Sequence, residues 1–271
     1  MRLIFLIYTF VLLSAGMKAQ DLDIAVYSEK NGENIEYYAD NDEWCPVSIA
    51  FEFELKNMRS ESGSKFSKVL PPRSKRIPVT TLRTVKQGEL FGYKYSSNAV
   101  RGDVVNAYDS KHIYSLPYPA GKTYTIFQGY NGRQTHQGEN ALDFSHKKGD
   151  EITAARGGIV IAVVDHNSRS CMKPECYKYN NYVLILHDDG SMADYAHIRK
   201  EGSLVVPGDT VQTGQVIALS GNVGYAAGPH LHFSVYLPAF KGPKTIKTLF
   251  RTQNGQPEFL KEGNAYSRID D

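Results

Sequence analysis

The chain has 271 residues, with 31 basic and 29 acidic side chains and 41% hydrophobic residues. This globular composition excludes intrinsic disorder, collagen and coiled coil as the main architecture. The near-neutral charge gives no electrostatic reason to expect nucleic acid as a partner. The 18 tyrosines, 23 glycines and 12 prolines favour a mostly β fold, and the length allows one large domain or two of average size.

Residues 1–19 are predicted to be a signal peptide rather than part of the fold. Arg2 precedes an apolar run at 3–13 in which only Thr9 is polar, and small or weakly polar residues follow up to Ala19. This order is typical of a secretory signal. An uncleaved anchor is the alternative, but spanning a bilayer usually takes about 18 apolar residues. We therefore expect an exported protein, periplasmic or secreted, with no stable membrane span after signal cleavage.

Residues 20–116 are predicted to form an N-terminal β-sandwich-like domain. The segment 48–55 alternates apolar and polar residues, as a half-buried strand does, and the segment 88–95 is similar. The only histidine of this part, His112, is interpreted as a surface or packing residue. No catalytic constellation occurs here, and the Pro/Gly-rich segment 116–121 predicts the domain boundary.

Residues 121–271 are predicted to form a second β domain. The segments 182–187 and 192–197 flank an Asp-Gly turn and predict a hairpin. The segments 157–164 and 230–236 predict two more strands, and no long segment has helical periodicity.

All three cysteines lie in the part predicted to be exported, where disulfides are permitted. Pro174 favours a turn between Cys171 and Cys176, which would let these two pair. The alternatives are a pairing of Cys45 with one of them, or three reduced thiols. A cysteine zinc site is disfavoured because no second cysteine pair completes a four-ligand set.

Seven of the eight histidines lie in the second part, and several of them occur in a pattern that suits a metal. His230 and His232 are two apart on a predicted strand, so both imidazoles point to one face. His136 and Asp143 flank a loop that could turn both side chains toward one ion, and His197 ends the hairpin. Two His and one Asp meet the needs of a catalytic zinc and leave other His for acid–base chemistry. The alternative is an ordinary pair of strand residues at a sheet edge.

The remaining polar residues of this part are interpreted as structural. His187 is expected to be a partly exposed strand-end residue, and His146 and His166 are expected to be solvated. Glu139 and Asn140 are interpreted as loop residues.

Three segments, 135–144 (THQGENALDF), 195–197 (YAH) and 228–233 (GPHLHF), resemble the motifs of the M23 family of zinc peptidases. These are cell-wall endopeptidases of the lysostaphin/LytM type. The resemblance extends over about residues 121–240 and leaves the N-terminal part uncovered. It implies a compact antiparallel β domain, with a groove across the sheet, that acts on peptide cross-links of bacterial peptidoglycan.

Carried over by position, the resemblance implies that His136, Asp143 and His232 bind one Zn²⁺ per catalytic domain. It makes His197 and His230 the catalytic pair. In much of the family the ligand Asp lies four residues after the first His, whereas here it lies seven after, a spacing found in a subset of the family.

The resemblance therefore implies a secreted zinc metalloendopeptidase that binds peptidoglycan stem peptides and cross-links. One alternative is a catalytically silent LytM-like protein that binds the cell wall or regulates a hydrolase. Another is a structural adhesin in which the N-terminal domain carries the function. The complete set of five site residues argues against both. The cleaved bond, the role of the N-terminal domain and the oligomeric state stay open.

Overall fold

The computed structural model describes residues 22–105 and 107–269, which form two compact units divided between Arg101 and Gly102. The predicted signal peptide lies outside these described residues. No helix among the described residues is long and apolar enough to cross a membrane. Both units are built from β-strands, so the predicted mostly β fold is confirmed.

The first unit consists of two antiparallel sheets that contribute to one apolar core. Its strands are β1 Ile24–Asn31, β2 Asn34–Asn41, β3 Val47–Lys56, β4 Met58–Ser60, β5 Lys65–Leu70, β6 Ser74–Thr84 and β7 Gly92–Arg101. One sheet has the order β1-β2-β6-β4 and the other β5-β3-β7. This arrangement agrees with the β-sandwich-like domain expected from the alternating segments.

Of the two strands predicted in this unit, one agrees with the observed bounds and the other only in part. Residues 48–55 lie within β3, where Ile49, Phe51 and Phe53 are buried at every second position. The segment 88–95 becomes a strand only from Gly92 onward, because Gly88 has a φ of 79° and belongs to a turn.

The second unit begins earlier in the chain than the predicted boundary at 116–121. Tyr114, Leu116 and Tyr118 are buried in the core of this unit, and the ring of Tyr118 packs edge-on against Phe144 at 5.8 Å. The prolines of this segment indicated a connection. Its large apolar side chains nevertheless belong to the second core, so residues 102–120 are part of the second unit.

The second unit is organised around one large antiparallel sheet. The strands of the unit are β8 Ile113–Tyr114, β9 Thr123–Gln128, β10 Ala141–Phe144, β11 Glu151–Thr153, β12 Gly158–Val164, β13 Tyr182–Leu186, β14 Met192–Ala196, β15 Ile198–Ser203, β16 Thr210–Val211, β17 Val216–Ser220, β18 Leu231–Leu237, β19 Lys244–Ile246, β20 Leu249–Phe250 and β21 Ala265–Ser267. The large sheet has the order β16-β12-β13-β14-β18-β10-β9-β21, with β19 beside β18. A short 3₁₀ helix spans Pro174–Tyr179.

The strands predicted in this part are present with small shifts at their ends. The predicted hairpin is β13 and β14, the segment 157–164 is β12, and the segment 230–236 is β18. Two smaller groups of strands, β11-β17-β15 and the parallel pair β20-β8, complete the unit.

The centre of the large sheet has one apolar face and one polar face. Along β18, Leu231, Phe233 and Val235 are buried in the core. The residues between them must point to the opposite face, because side chains alternate along a strand. We call this opposite side the site face; its members are Asp143 of β10, Asp194 and Ala196 of β14, and His232 and Ser234 of β18.

Candidate metal centre

Three side chains expected to bind a metal converge at the site face. Asp143 lies directly opposite His232 in the β10–β18 register, and His136 comes from the loop before β10. Oδ1 of Asp143 is 2.9 Å from Nδ1 of His232 and 3.3 Å from Nε2 of His136. The two imidazole nitrogens are 3.2 Å apart. Among the residues that the structure describes, His136, Asp143 and His232 form a cluster whose ligand atoms all lie within 4.8 Å of one another.

Neighbouring groups fix which atom of His136 and which atom of Asp143 faces the cluster. Nδ1 of His136 is 3.1 Å from the carbonyl oxygen of Gly129. A carbonyl can only accept, so Nδ1 carries the hydrogen and Nε2 keeps a lone pair. The side-chain amide of Gln128 donates to Oδ2 of Asp143 at 2.8 Å, which leaves Oδ1 toward the histidines. Outer contacts of this kind orient metal ligands in proteins.

The site carboxylate is held in its ionised form. Asp143 is 3% exposed, and this burial alone would oppose ionisation. Hydrogen bonds with His136 and His232 outweigh burial and keep the pKa of Asp143 below its ordinary value. The donor set therefore offers one carboxylate oxygen and two imidazole nitrogens directed at one point, which is a set that zinc accepts.

His197 and His230 lie beside these donors, and both rings are held through the same nitrogen, Nδ1. Nδ1 of His230 donates to the carbonyl of Gly228 at 2.9 Å, and Nδ1 of His197 donates to the carbonyl of Val223 at 2.8 Å. Nε2 of each ring therefore keeps its lone pair. Nε2 of His230 is 3.8 Å from Oδ1 of Asp143, and the centres of the two rings are 4.5 Å apart.

Burial keeps both of these rings neutral. It is the main cause that lowers the pKa of His197 to about 3, assisted by the neighbouring His230 and His232. Burial also lowers the pKa of His230. A neutral imidazole with a free Nε2 can accept a proton, which is what general-base chemistry requires.

The backbone at His197 is held in an unusual conformation. Its φ is 65°, and its N–H donates to the carbonyl of Asn181 at 2.8 Å. Non-glycine residues at positive φ are strained and concentrate at functional sites. His197 lies at the bend between β14 and β15, and its strained backbone conformation places the imidazole at the site.

A disulfide-closed loop is attached to the segment that orients His197. Cys171 and Cys176 form a disulfide, the pairing that the sequence favoured, and Cys45 is buried in the first unit. The N–H of Cys171 donates to the carbonyl of Gly224 at 3.0 Å. Gly224 follows Val223, whose carbonyl holds the ring of His197.

Two of the remaining histidines differ from expectation. His146 is 2% exposed and its ring stacks on Tyr124 with the centres 4.0 Å apart, so the expectation of a solvated residue was wrong. His187 is also 2% exposed, because it packs against Tyr114 and donates from Nδ1 to the carbonyl of Gly157. Burial lowers the pKa of each to about 4. His166 is exposed, as expected.

Several groups at the site were missed by the sequence reasoning. The carbonyls of Gly129, Val223 and Gly228 orient three of the imidazoles, and backbone groups leave no signal in a residue pattern. Gln128 ends a strand without any motif around it. Asp194 did leave a signal, since it is a carboxylate within the otherwise buried strand β14. Burial raises its pKa to about 6.

Comparison with known proteins identifies the domain that carries this cluster. The model of peptidase family M23 matches residues 137–244, a range that includes Asp143, His197, His230 and His232 and begins one residue after His136. Residues 137–244 are a peptidase family M23 domain.

Two relatives and one solved structure each match just under half of this chain. An uncharacterized metalloprotease of Buchnera aphidicola subsp. Baizongia pistaciae is 32% identical over 143 residues, which cover 49% of this chain and 34% of that protein. Peptidoglycan DD-endopeptidase ShyA of Vibrio cholerae is 31% identical over 124 residues, covering 44% of this chain and 26% of that protein. The matched part thus amounts to between a quarter and about a third of these relatives. The catalytic domain of lysostaphin from Staphylococcus simulans aligns with a TM-score of 0.34 and 22% identity, over 46% of this chain and 87% of that domain.

Proposed function

We propose that this M23 protein is an exported zinc metalloendopeptidase that hydrolyses peptide cross-links of bacterial peptidoglycan. The observation that carries the proposal is the convergence of His136, Asp143 and His232, in which neighbouring groups orient the donor atoms of His136 and Asp143. The name of the ShyA relative adds peptidoglycan as the substrate class. Export is supported by the predicted signal peptide and by the disulfide, which an oxidising compartment favours.

In this proposal, Nε2 of His136, Oδ1 of Asp143 and Nδ1 of His232 hold one zinc ion. Zinc in such a site supplies Lewis acidity, which makes a carbonyl more electrophilic and a water more acidic. The protein's own part is to orient these donors. Gln128 fixes the carboxylate of Asp143, and the carbonyl of Gly129 fixes the ring of His136.

His197 and His230 are the proposed catalytic residues. Each has a neutral ring whose Nδ1–H is bound to a backbone carbonyl, so only Nε2 is available to accept a proton. One ring would take the proton of the attacking water, and the proton would then pass to the nitrogen of the leaving amine. The ring that has taken this proton would stabilise the negative charge on the former carbonyl oxygen until the proton passes to the leaving amine. The short distance between the two rings lets them share these roles.

Metal analysis combined with digestion of purified peptidoglycan tests the proposal. We expect about one zinc per chain, and mass analysis of the released fragments should show cut stem-peptide cross-links. A protein that holds zinc and binds peptidoglycan without releasing fragments would instead support a silent, wall-binding relative. A protein with no zinc and no hydrolysis would refute the assignment.

A further inference from the structure

The disulfide-closed loop carries an aromatic contact that the proposed mechanism does not use. Tyr177, in the short 3₁₀ helix, and Tyr225 have ring centres 4.6 Å apart, and their ring planes are inclined at 51°. Tyr177 is 47% exposed and Tyr225 is partly exposed. We call these two residues the tyrosine pair. Exposed apolar rings in contact with one another form a surface patch, and such patches mark places where a ligand binds.

A five-residue segment, 221–225, connects the tyrosine pair to both proposed catalytic residues. We call this segment the rim. Its first residue forms an antiparallel bridge with His230, and the carbonyl of Val223 accepts the hydrogen bond from the ring of His197. Tyr225 follows two residues later, so its Cα is at most about 7.6 Å from that of Val223. The tyrosine pair therefore lies at the edge of the site rather than on a remote part of the unit.

The loop is fixed to the rim by hydrogen bonds on both sides of the disulfide. The N–H of Gly224 donates to the carbonyl of Arg169 at 2.8 Å, and the N–H of Tyr225 donates to Oδ1 of Asn180 at 2.9 Å. The disulfide closes the loop between these two attachment points. A surface that is already ordered loses little conformational entropy when a ligand binds to it. The tyrosine pair is thus held ready for a ligand.

The chemistry of the two side chains selects the kind of ligand. A tyrosine combines an apolar ring face, which carries partial negative charge, with a polar hydroxyl at the ring edge. A sugar ring is complementary to it, because C–H groups cover its faces and polar groups surround its edge. An aliphatic peptide side chain has no polar edge and would match a pocket of branched apolar residues instead.

The third tyrosine of the loop provides a contrast. Arg169 and Lys178 lie over the ring of Tyr179, with their charged groups 5.0 and 5.1 Å from its centre. The chain's own cations therefore occupy that ring, whereas about half of Tyr177 is open to solvent.

We propose that the tyrosine pair binds a sugar ring of the glycan strand to which the cleaved peptide is attached, so that the protein recognises the glycan as well as the cross-link. This inference rests on the proposed function. An extended peptide advances about 3.3–3.6 Å per residue, so a sugar several residues from the scissile bond lies at the edge of the site and not at the metal centre. The rim places the tyrosine pair at such an edge.

The test compares two soluble substrates that share one peptide cross-link. The first is a purified cross-linked muropeptide with its disaccharides attached, and the second is the same cross-linked peptide after an amidase has removed the disaccharides. The measured quantity is the ratio of kcat/KM for the first substrate to that for the second. For the unaltered protein we expect a ratio of about ten, which corresponds to about 1.4 kcal/mol.

Three variants assign this ratio to the tyrosine pair. Tyr177→Ala should bring it close to one, mainly by raising KM for the substrate that carries sugars. Tyr177→Phe keeps the ring and should keep most of the ratio. The control is Tyr108→Ala, which removes another exposed tyrosine of the same unit, outside the loop, and should keep the whole ratio. Circular dichroism and zinc content verify that each variant is folded and loaded.

Different outcomes separate this inference from the proposed function. If the unaltered protein gives a ratio near one, or if Tyr177→Ala slows both substrates equally, the inference is wrong. If the unaltered protein cleaves neither substrate, the proposed function fails, and calorimetric titration with a peptide-free glycan oligosaccharide decides the inference. Binding that Tyr177→Ala weakens and Tyr108→Ala does not then supports it, and equal or undetectable binding overturns it.

Discussion

The two faces of the large sheet belong to the same strands, but one face buries apolar side chains and the other buries polar ones. On the core face, Phe233 is 1% exposed and packs edge-on against Tyr195 at 5.1 Å. On the site face, Asp143 is nearly as well buried, and it is held by polar contacts from Gln128 and His232. Burial alone therefore does not distinguish core from site. What distinguishes them is whether each buried atom has packing partners or hydrogen-bond partners.

The largest expected effect comes from substitutions of metal ligands on the site face, which should abolish activity while the fold is kept. Since zinc ligation needs all three donors, His232→Ala and Asp143→Ala should each lose bound zinc and lower kcat/KM by about 10³-fold or more. Metal analysis and hydrolysis of a cross-linked peptide measure both. The unfolding temperatures of the metal-free forms should stay close to that of the metal-free parent.

The matched variant for this prediction is His230→Ala, which removes an imidazole two residues from His232 on the same strand segment. It should keep most of the zinc and still lose hydrolysis, because Nε2 of His230 faces the cluster without being one of its three donors. Stoichiometric zinc in His232→Ala would contradict the ligand assignment.

The opposite substitution, on the core face, should cost stability first. Phe233→Ala removes a fully buried ring from the centre of the sheet and should lower the free energy of unfolding by about 3–5 kcal/mol. Ser234→Ala, the next residue on the site face, should change it by less than about 1 kcal/mol. Denaturant unfolding measures both. Equal losses in the two variants would mean that the two faces are not energetically distinct.

The contrast between the faces also shows which features the sequence could predict. The alternation in the segment 230–236 placed His230 and His232 on one side of a predicted strand, and the structure brings both near Asp143. The hairpin β13–β14 followed from its Asp-Gly turn. Such local patterns predict which side chains share a face, because the backbone of a strand fixes a period of two residues.

Features that depend on distant parts of the chain were not predictable in this way. His146 follows β10 among polar neighbours, yet it is buried by Tyr124 and Tyr118, which precede it by more than twenty residues. The start of the second unit was missed because Leu116 and Tyr118 lie among prolines that indicate a loop. Their burial is set by tertiary packing, which composition does not report.

The buried histidines outside the site predict how stability depends on pH. In the folded protein the pKa of His146 and that of His187 are about 4, against about 6.5 for an unfolded chain. Below pH 6.5 the unfolded state therefore binds protons that the folded state does not, and stability falls until about pH 4. Each histidine should remove about 2 kcal/mol between pH 7 and pH 5.

Replacement of one of these histidines should flatten that profile. His146→Phe keeps the stacking with Tyr124 and removes the titrating group, so its loss of stability between pH 7 and pH 5 should be smaller by about 2 kcal/mol. His166→Gln, at an exposed position, should leave the profile unchanged. Denaturant unfolding at several pH values measures the slopes, and identical slopes in the parent and His146→Phe would show that His146 does not contribute.

The smallest expected effect comes from the disulfide, and it should fall on the site face rather than on the core. A ring closed over a sequence separation of 5 removes little chain entropy, so Cys171→Ala combined with Cys176→Ala should cost at most about 2 kcal/mol. The loop is bound to Gly224, next to the carbonyl that orients His197, so kcat should fall a few-fold while zinc content stays the same. Reduction of the unaltered protein is the matched control and should give the same fall in kcat. Three reactive thiols in the denatured, unreduced protein would contradict the disulfide, and an unchanged kcat after reduction would show that the loop does not position His197.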